Sequence, residues 1–288
     1  MRRRFVLAIL ACIAFAFNGA AQGAGANEHL TLVVGFAAGG TSSTAARFIA
    51  ESFEGITGTP TVILNKPGAG GKLAADFVEQ EQSSRTLLFM SSTSLLDIPP
   101  TGGLTPIGMV ATFTYVAAVR NGSPPTVADY MNAARDPNTW PMRNVGTAGS
   151  IPRVIGTQLF KSHGSVMVNV PYNGSGPAIR DVLGGHVAMA IVPYPDVQSF
   201  EGSLTIIAET GSGIEIGGWI GIYAPQGTPP HEIARLADIF RQASERSKSD
   251  LERAGFRQEW RPAADLERAR REDYGRLKPA ADALTPAP

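Results

Sequence analysis

Residues Leu30–Phe53 have the sequence LTLVVGFAAGGTSSTAARFIAESF, and this stretch decides the fold. The apolar, partly β-branched run Leu30–Phe36 has the length and composition of a buried strand. Gly39 and Gly40 allow a tight turn, and the hydroxyl residues after them are typical of a helix N-terminus. The apolar residues that follow share one helical face: Ala45, Phe48, Ile49 and Phe53. Free N–H groups at such a helix start favour an anion, although an ordinary βα turn has the same pattern.

The strand–turn–helix pattern recurs along the chain. Turns rich in glycine and hydroxyl residues follow apolar runs at 147–150 and 172–176, and the strand Thr86–Met90 ends in Ser91–Ser94. Trp219–Ala224 is predicted to be the strand that crosses back to the first lobe. The charged tail at about 244–274 is predicted to be helical, with its arginines and glutamates on a solvated face. Ligands of open α/β sheets lie at the carboxyl ends of strands. Two lobes of this kind would enclose a cleft suited to a small carboxylate, held by backbone N–H groups and hydroxyls without a dedicated lysine or arginine.

Composition limits the classes of function. The chain has 288 residues, 43% of them hydrophobic, and a formal net charge of zero. This length allows two lobes with a sizeable core. The balanced charge gives no electrostatic basis for a nucleic-acid partner.

The N-terminal 26 residues have the features of a signal peptide. Arg2, Arg3 and Arg4 precede an apolar run, Phe5–Phe17, which is short for a membrane span, and small residues follow. Cys12 is the single cysteine and lies within this segment, where a lipoprotein signal is the alternative interpretation. The mature chain would then have no thiol, which excludes disulfide, catalytic-cysteine and zinc–thiolate chemistry. We expect an exported protein that does not span a membrane.

Motifs for catalysis are weak. His163 and His186 lie beside glycines at turns, which is typical of surface loops. Gly174-Ser175-Gly176 has the wrong spacing for a nucleophile elbow. Gly71-Lys72 lacks the flanking residues of a phosphate-binding loop, and no His, Asp or Glu set has metal-ligand spacing. We therefore expect no enzyme, no metal and no cofactor, with a hydrolase as a minor alternative.

Six segments resemble the receptor components of tripartite tricarboxylate transporters, the Bug family, and they occur in the family's order over nearly the whole mature chain. The most specific are NKPGAGG at 65–71 and VPYNGSGPAIRDVLGG at 170–185. The others are VVGFAAGGTSSTAARFIA, LLFMSST, VGTAGSIPRVIGTQLF and IYAPQGTPPHEIARL. The resemblance implies a type II periplasmic-binding-protein (Venus flytrap) fold, an α/β fold with two lobes of mixed, mainly parallel sheets flanked by helices. It also implies closure of the lobes on a small carboxylated solute.

The chain departs from the family pattern at several positions. Ala37 and Ala38 replace two prolines, and Asn173 replaces a lysine. Aspartates are usual where this chain has Ser43, Ala188 and Val192. A serine donates as well as accepts hydrogen bonds, so the preferred ligand can differ from that of relatives.

On the family pattern, a ligand carboxylate would lie against two turns, and hydroxyl residues of both lobes would line the cleft. The implied ligand-binding residues are Phe36, Ala38, Gly39, Gly40, Thr41, Ser43, Ser91, Ser92, Thr93, Thr147, Ala148, Gly149, Ser150, Tyr172, Asn173, Gly174 and Ser175. Each hydroxyl could instead bond to its own backbone, and Phe36 could be the last core residue of its strand.

The predicted organisation is a signal peptide at 1–26, a first lobe at 27–122 plus 223–288, and a second lobe at 123–222. The resemblance implies a periplasmic, monomeric receptor that delivers its solute to membrane transporter subunits. The alternative is a periplasmic sensor that presents its closed form to a signalling partner, which the sequence does not distinguish from transport.

Overall fold

The computed structural model describes residues 29–100, 102–136, 142–200, 202–209 and 217–284. The predicted signal peptide at 1–26, with Cys12, lies outside the described residues. Strands and helices alternate along most of the described chain, as the repeated strand–turn–helix pattern predicts.

The described residues form ten strands. The strands are β1 (Leu30–Val34), β2 (Thr61–Asn65), β3 (Thr86–Ser91), β4 (Leu104–Arg120), β5 (Asn144–Thr147), β6 (Val168–Pro171), β7 (Met189–Pro193), β8 (Leu204–Glu209), β9 (Gly217–Pro225) and β10 (Arg257–Pro262). The α-helices are α1 (Thr41–Thr57), α2 (Lys72–Glu81), α3 (Val127–Arg135), α4 (Ser150–Ser162), α5 (Ser175–Gly184), α6 (Tyr194–Val197), α7 (Pro230–Arg246), α8 (Lys248–Arg253) and α9 (Ala263–Asp282). Short 3₁₀ turns occur at Ala69–Gly71, Ser92–Ser94 and Gln198–Phe200.

The strands form one hydrogen-bonded path in the order β2-β1-β3-β9-β4-β7-β5-β6, with β8 and β10 as further partners of β4. β1 is parallel to β2 and β3, and β5 is parallel to β6 and β7. β9 is antiparallel to β3, and β4 is antiparallel to β7, β8, β9 and β10. Each end of the path is thus a parallel unit connected through helices, and antiparallel strands join the two units. This arrangement confirms the predicted α/β fold.

Strand β4 connects the two lobes. Its residues 104–114 pair with β9, and its residues 115–120 pair with β7 and β8. We call the part built on β1, β2, β3, β9, β10 and residues 104–114 the first lobe, and the part built on β5–β8 and residues 115–120 the second lobe. The strand partners thus change between Thr114 and Tyr115, and β9 pairs with the first lobe from Gly217 onwards. The predicted boundaries at 122 and 223 stay a prediction.

The core of the first lobe follows the predicted helix face. Ala45 and Ile49 of α1 are fully buried against the sheet, and Phe48 is partly buried. Phe53 packs on Phe240 of α7, with ring centroids 4.9 Å apart. The apolar face of α1 is therefore enclosed between the parallel strands and a helix from the far end of the chain.

The C-terminal region keeps the predicted exposed helical charges, as in the pair of Arg271 with Glu267, but departs from the prediction at β10 and at Arg270. Residues 257–262 form β10, which pairs with β4, and Trp260 lies over Gly108 of that strand. Arg270 of α9 is only 2% exposed. The charge pattern did not predict the pairing of β10 with β4 or the burial of Arg270, because their partners in β4 and at Ile98 and Pro99 are more than 100 residues away in sequence.

Candidate ligand-binding site

The predicted glycine turn joins β1 to α1, and polar side chains hold it in place. Asn65 Nδ2 donates to the Phe36 carbonyl at 2.8 Å and to Ser43 Oγ at 2.7 Å. Ser43 Oγ also lies 3.5 Å from the Ala37 carbonyl, to which it donates. The hydroxyl of Ser43, at a position where the resembling family has aspartate, therefore contributes to the conformation of the turn.

Two turns of the second lobe touch the first lobe. Ser150 Oγ, at the first residue of α4, accepts from Leu96 N at 3.2 Å and donates to the Thr93 carbonyl at 3.3 Å. Ala37 N donates to the Asn173 carbonyl at 3.2 Å. These contacts hold the two lobes against each other in this structure.

A cavity of about 430 Å³ lies between the lobes. It is lined by segments from both lobes and by the end of the C-terminal helix. Six of the predicted site residues line it: Phe36, Thr147, Gly149, Ser150, Tyr172 and Asn173. The remaining lining residues are Gly35, Gly68, Ala69, Gly70, Gly71, Asp97, Arg153, Val154, Asn169, Pro171, Ala281 and Leu284. The volume is in the range of small-molecule sites.

A second compartment of about 30 Å³ lies beside Ala37, at the starts of α1 and α5. This volume is large enough for about one water molecule. Phe36 borders this compartment too, together with other predicted residues: Ala38, Gly40, Thr41, Thr93, Ala148, Gly174 and Ser175. Of the predicted residues, Gly39, Ser43, Ser91 and Ser92 line neither compartment.

The hydroxyls that end β3 bond to one another and to neighbouring strands. Ser91 Oγ lies 2.8 Å from Thr93 Oγ1, which lies 3.0 Å from the phenol oxygen of Tyr115. Ser92 Oγ lies 3.2 Å from the same phenol and accepts from Trp219 N at 3.1 Å. Burial raises the pKa of Tyr115, which keeps this phenol protonated as a donor. The alternative interpretation, a bond to the local backbone, describes Ser91, which accepts from Thr93 N at 3.2 Å, whereas Ser92 and Thr93 bond to Tyr115 on a neighbouring strand.

Asp196 of α6 occupies the position at the start of α1 where a ligand carboxylate was predicted. It lines the small compartment beside Ser175 and the backbone N–H of Thr41, while the Thr41 hydroxyl has no hydrogen-bond partner among the described residues. Burial raises the pKa of the Asp196 carboxyl to about 6, although its bonds with Ser175 and Thr41 oppose the shift. A side chain of the protein thus supplies the anion that the N-terminus of α1 favours.

A matching arrangement occurs at the start of α4. Asp97, which follows the 3₁₀ turn after β3, faces Ser150 and packs against Gly70. Burial raises the pKa of the Asp97 carboxyl, while Ser150 and then Arg153 oppose the shift. Arg153 Nη2 donates to the Leu284 carbonyl at 3.0 Å. The wall of the larger cavity therefore carries one carboxylate and one guanidinium.

Tyr172 and Asn169 complete the wall on the side of the second lobe. The phenol of Tyr172 donates to Asp181 Oδ2 at 2.6 Å, and burial, then this carboxylate, raises its pKa to about 12. Thr147 Oγ1 donates to Asn169 Oδ1 at 2.6 Å. These bonds fix the two side chains relative to the cavity.

Sequence reasoning missed several cavity residues. The glycine loop at 68–71 was recognised as a family segment but not assigned to the site. Arg153 could have been found, because it lies in the first turn of a helix whose start was predicted to face the cleft. Asp97 and Asp196 have no local signal, because their partners Ser150 and Thr41 lie on the opposite lobe.

Two of the departures from the family pattern lie in the second lobe. Val192 is fully buried in an apolar cluster with Ile179 and Val182. Ala188 is partly buried against the larger core.

The described residues contain no group of three or more His, Asp or Glu side chains placed to hold a metal ion. They also contain no helix with the length and apolar character of a membrane span.

Comparison with known proteins gives consistent matches. The model of the family described as "Tripartite tricarboxylate transporter family receptor" matches residues 45–278. Protein BugT of Bordetella pertussis is 28% identical over 243 residues, which cover 72% of this chain and 73% of BugT.

Solved structures match the fold at low sequence identity. MatC from Rhodopseudomonas palustris, solved with bound malate, has a TM-score of 0.79 and 24% identity, covering 88% of this chain and 98% of MatC. The periplasmic binding protein BugD has a TM-score of 0.78 and 22% identity, covering 88% of this chain and 97% of BugD. These matches confirm the predicted periplasmic-binding-protein fold. Because the family model covers most of the chain, this protein belongs to the tripartite tricarboxylate transporter receptor (Bug) family.

Proposed function

We propose that the protein is a periplasmic receptor that captures a small carboxylate in the 430 Å³ cavity between its lobes. It then presents the closed form to the membrane subunits of a tripartite tricarboxylate-type transporter. Family membership and the malate bound to MatC support this role. The observation that carries the proposal is a cavity bounded by both lobes, because a ligand that touches both stabilises their closed arrangement.

The ligand carboxylate lies beside Arg153 in this proposal. A guanidinium has five N–H donors, and the bond from Arg153 to the Leu284 carbonyl uses one nitrogen of the fork. The other donors are suited to the planar geometry of a carboxylate. We had predicted a site without a dedicated arginine, so this assignment changes the expected chemistry of recognition.

The proposed site keeps six predicted residues, which are those that line the larger cavity: Phe36, Thr147, Gly149, Ser150, Tyr172 and Asn173. Binding at the turn Ala38–Thr41 is disfavoured, because the compartment there is small and already contains the carboxylate of Asp196. Two carboxylates at one helix N-terminus repel each other unless one is protonated.

Ligand binding to the purified mature protein tests the proposal. We expect di- and tricarboxylates, aromatic acids or amino acids to include a compound that raises the melting temperature in a concentration-dependent manner. Arg153→Gln should weaken the binding of that compound by at least about tenfold, as expected for loss of a charge-assisted hydrogen bond.

Arg241→Gln is the matched control, because Arg241 is exposed on α7 and its ion pairs within the described residues are with Asp238 and Glu245 of the same helix. Its affinity should equal that of the wild type. Absence of binding by every class of carboxylate would contradict the proposed function. Turnover of a bound compound would favour an enzyme instead.

Transport and export need separate measurements. Mass spectrometry of the periplasmic fraction should show a chain shortened by the signal peptide. Uptake of the identified solute should require this protein together with the membrane subunits. Unimpaired uptake without this protein would favour the sensor alternative.

A further inference from the structure

The C-terminal helix α9 is fixed to the first lobe over most of its length. Arg270 donates to the carbonyls of Ile98, at 3.2 Å, and Pro99, at 2.9 Å. Asp273 Oδ2 accepts from Trp219 Nε1 of β9 at 3.1 Å. These bonds hold the middle of the helix against strands of the first lobe.

The end of the same helix reaches the second lobe. The Leu284 carbonyl accepts from Arg153 Nη2 of α4 at 3.0 Å. Ala281 and Leu284 are both half-buried and line the larger cavity, while Ala283 between them is exposed. Residues three apart share one face of a helix, so this face closes one side of the cavity. We call residues 279–284 the C-terminal turn.

A proline separates the C-terminal turn from the rest of α9. Pro279 lies inside the helix and has no N–H to donate to the Gly275 carbonyl, which removes one helical bond. A Cβ added to the exposed Gly275 would meet nothing within 4 Å among the described residues. Leu277, by contrast, is buried in the core. The helix is thus anchored up to Leu277, and beyond it the contact with Arg153 helps to position the turn.

Bonds within the C-terminal turn keep its side chains in place. Ala283 N donates to the Pro279 carbonyl at 3.2 Å, and Leu284 N donates to the Ala281 carbonyl at 3.0 Å. The turn therefore presents the side chains of Ala281 and Leu284 to the cavity as one surface.

We propose that the C-terminal turn determines the length of the ligand that the cavity accepts, through the side chains of Ala281 and Leu284. This inference rests on the proposed function, because it takes the cavity as the receptor's binding site. The turn bonds to the guanidinium assigned to the ligand carboxylate, so its side chains lie beside one end of the ligand. One methylene too many or too few in an apolar pocket changes discrimination by about 10- to 200-fold. Two side chains in the wall are therefore enough to select between homologous acids.

A series of straight-chain dicarboxylates tests this inference by calorimetry: malonate, succinate, glutarate, adipate, pimelate and suberate. Ala281→Leu narrows the cavity, so the acid that the wild type binds best should lose at least about tenfold in affinity and a shorter acid should become the preferred one. Leu284→Ala widens the cavity, so the preferred acid should become longer than that of the wild type.

Ala283→Leu is the matched control, because it makes the same substitution in the same turn on the exposed face. Its affinity for every acid should stay within about threefold of the wild-type value. Circular dichroism should show that all three variants are folded, so a change in preferred length reports on the cavity wall.

The outcomes also distinguish this inference from the proposed function. An unchanged preferred length in both Ala281→Leu and Leu284→Ala, an equal loss of affinity for every acid, or the same shift in Ala283→Leu would overturn the inference and leave the receptor intact. Failure of the whole series to bind the wild type would overturn it too. Binding of another class of carboxylate would then still support the receptor, and failure of every class would contradict both.

Discussion

The carboxylate of Asp196, in the second lobe, faces Thr41 at the first residue of α1, in the first lobe. The reverse arrangement occurs where Asp97 of the first lobe faces Ser150, at the first residue of α4 in the second. Helix N-termini attract carboxylates, so each lobe provides an anion for a helix of the other. Burial raises the pKa of both carboxyls, so each contact favours the closed lobes more when its carboxyl is protonated than when it is ionised.

Asp196→Asn tests one of these contacts through pH. The pKa of Asp196 is raised to about 6 in the folded protein, above its ordinary value of 3.8, so the folded state binds the proton more tightly. Its contribution to the free energy of unfolding therefore rises as pH falls from about 6 towards 4, by about 2 kcal/mol for this half-buried group. The variant should lose that dependence.

Urea unfolding of both proteins at about pH 4.5 and pH 7 measures the difference. Asp238→Asn is the control, because the pKa of exposed Asp238 is lowered by its bond to Arg241, so its titration lies below this window. Equal pH dependence in wild type and Asp196→Asn would show that folding does not raise the pKa of Asp196.

Gly149→Ala should oppose closure. The φ angle of Gly149 is +87°, and an added Cβ would lie 2.6 Å from the Thr93 carbonyl of the other lobe. The clash exists only when the lobes are together, so we expect an open form with a larger radius of gyration in X-ray scattering. Ligand affinity should fall by at least about tenfold, because closure would cost more than about 1.4 kcal/mol extra.

Gly122→Ala separates backbone strain from closure. Gly122 has the same φ of +87°, but an added Cβ would meet nothing within 4 Å. This variant should lose about 1–2 kcal/mol of stability, the cost of a left-handed backbone for an L-residue, while keeping the affinity and the radius of gyration. The same loss of affinity in both glycine variants would mean that strain alone is responsible.

Gly40→Asp and Ser150→Asp should each abolish carboxylate binding in a protein that still folds. A Cβ on Gly40 would be 3.8 Å from Asp196 Oδ1, and Ser150 faces Asp97, so each variant places a second carboxylate beside an existing one. Like charges at this distance separate the lobes.

Gly40→Asn and Ser150→Asn are uncharged controls of nearly the same size. Calorimetry should detect binding in these controls, and circular dichroism should show folding in all four variants. Unchanged affinity in both aspartate variants would exclude our placement of the site.

Arg270→Met should destabilise the protein by about 2–4 kcal/mol, because it removes a buried charged donor from two carbonyls. Methionine keeps most of the apolar stem, so lost hydrogen bonds dominate the change. Arg271→Met is the control, since Arg271 is exposed, its ion pair in the described part of the chain is with Glu267, and it should contribute less than about 1 kcal/mol. Similar unfolding midpoints for the two variants would contradict the role of Arg270.

Local patterns predicted the elements near the site well. The glycine turns before α1 and α4, the buried face of Ala45 and Ile49, and the returning strand at 219–224 all occur as expected. Each of these features depends on a few consecutive residues, whose backbone freedom and apolar spacing are visible in the sequence.

Site chemistry was predicted less completely. Ser91 and Ser92 belong to an internal network with Tyr115, a partner more than 20 residues away. The pairing of Arg257–Pro262 with β4 was missed for the same reason, since a charged segment gives no indication of a distant strand partner. Whether the predicted cleft residues contact a ligand stays a prediction.

The sequence alone determined the α/β class, the family and the anion-favouring turns, because glycine placement and apolar periodicity act locally along the chain. Tertiary structure decided which anion occupies each helix N-terminus, and it placed Asp97 and Arg153 in one cavity wall. The physical reason is that these groups come from opposite lobes or from helices far apart in sequence. Their charges interact only after β4 has brought the two sheets together.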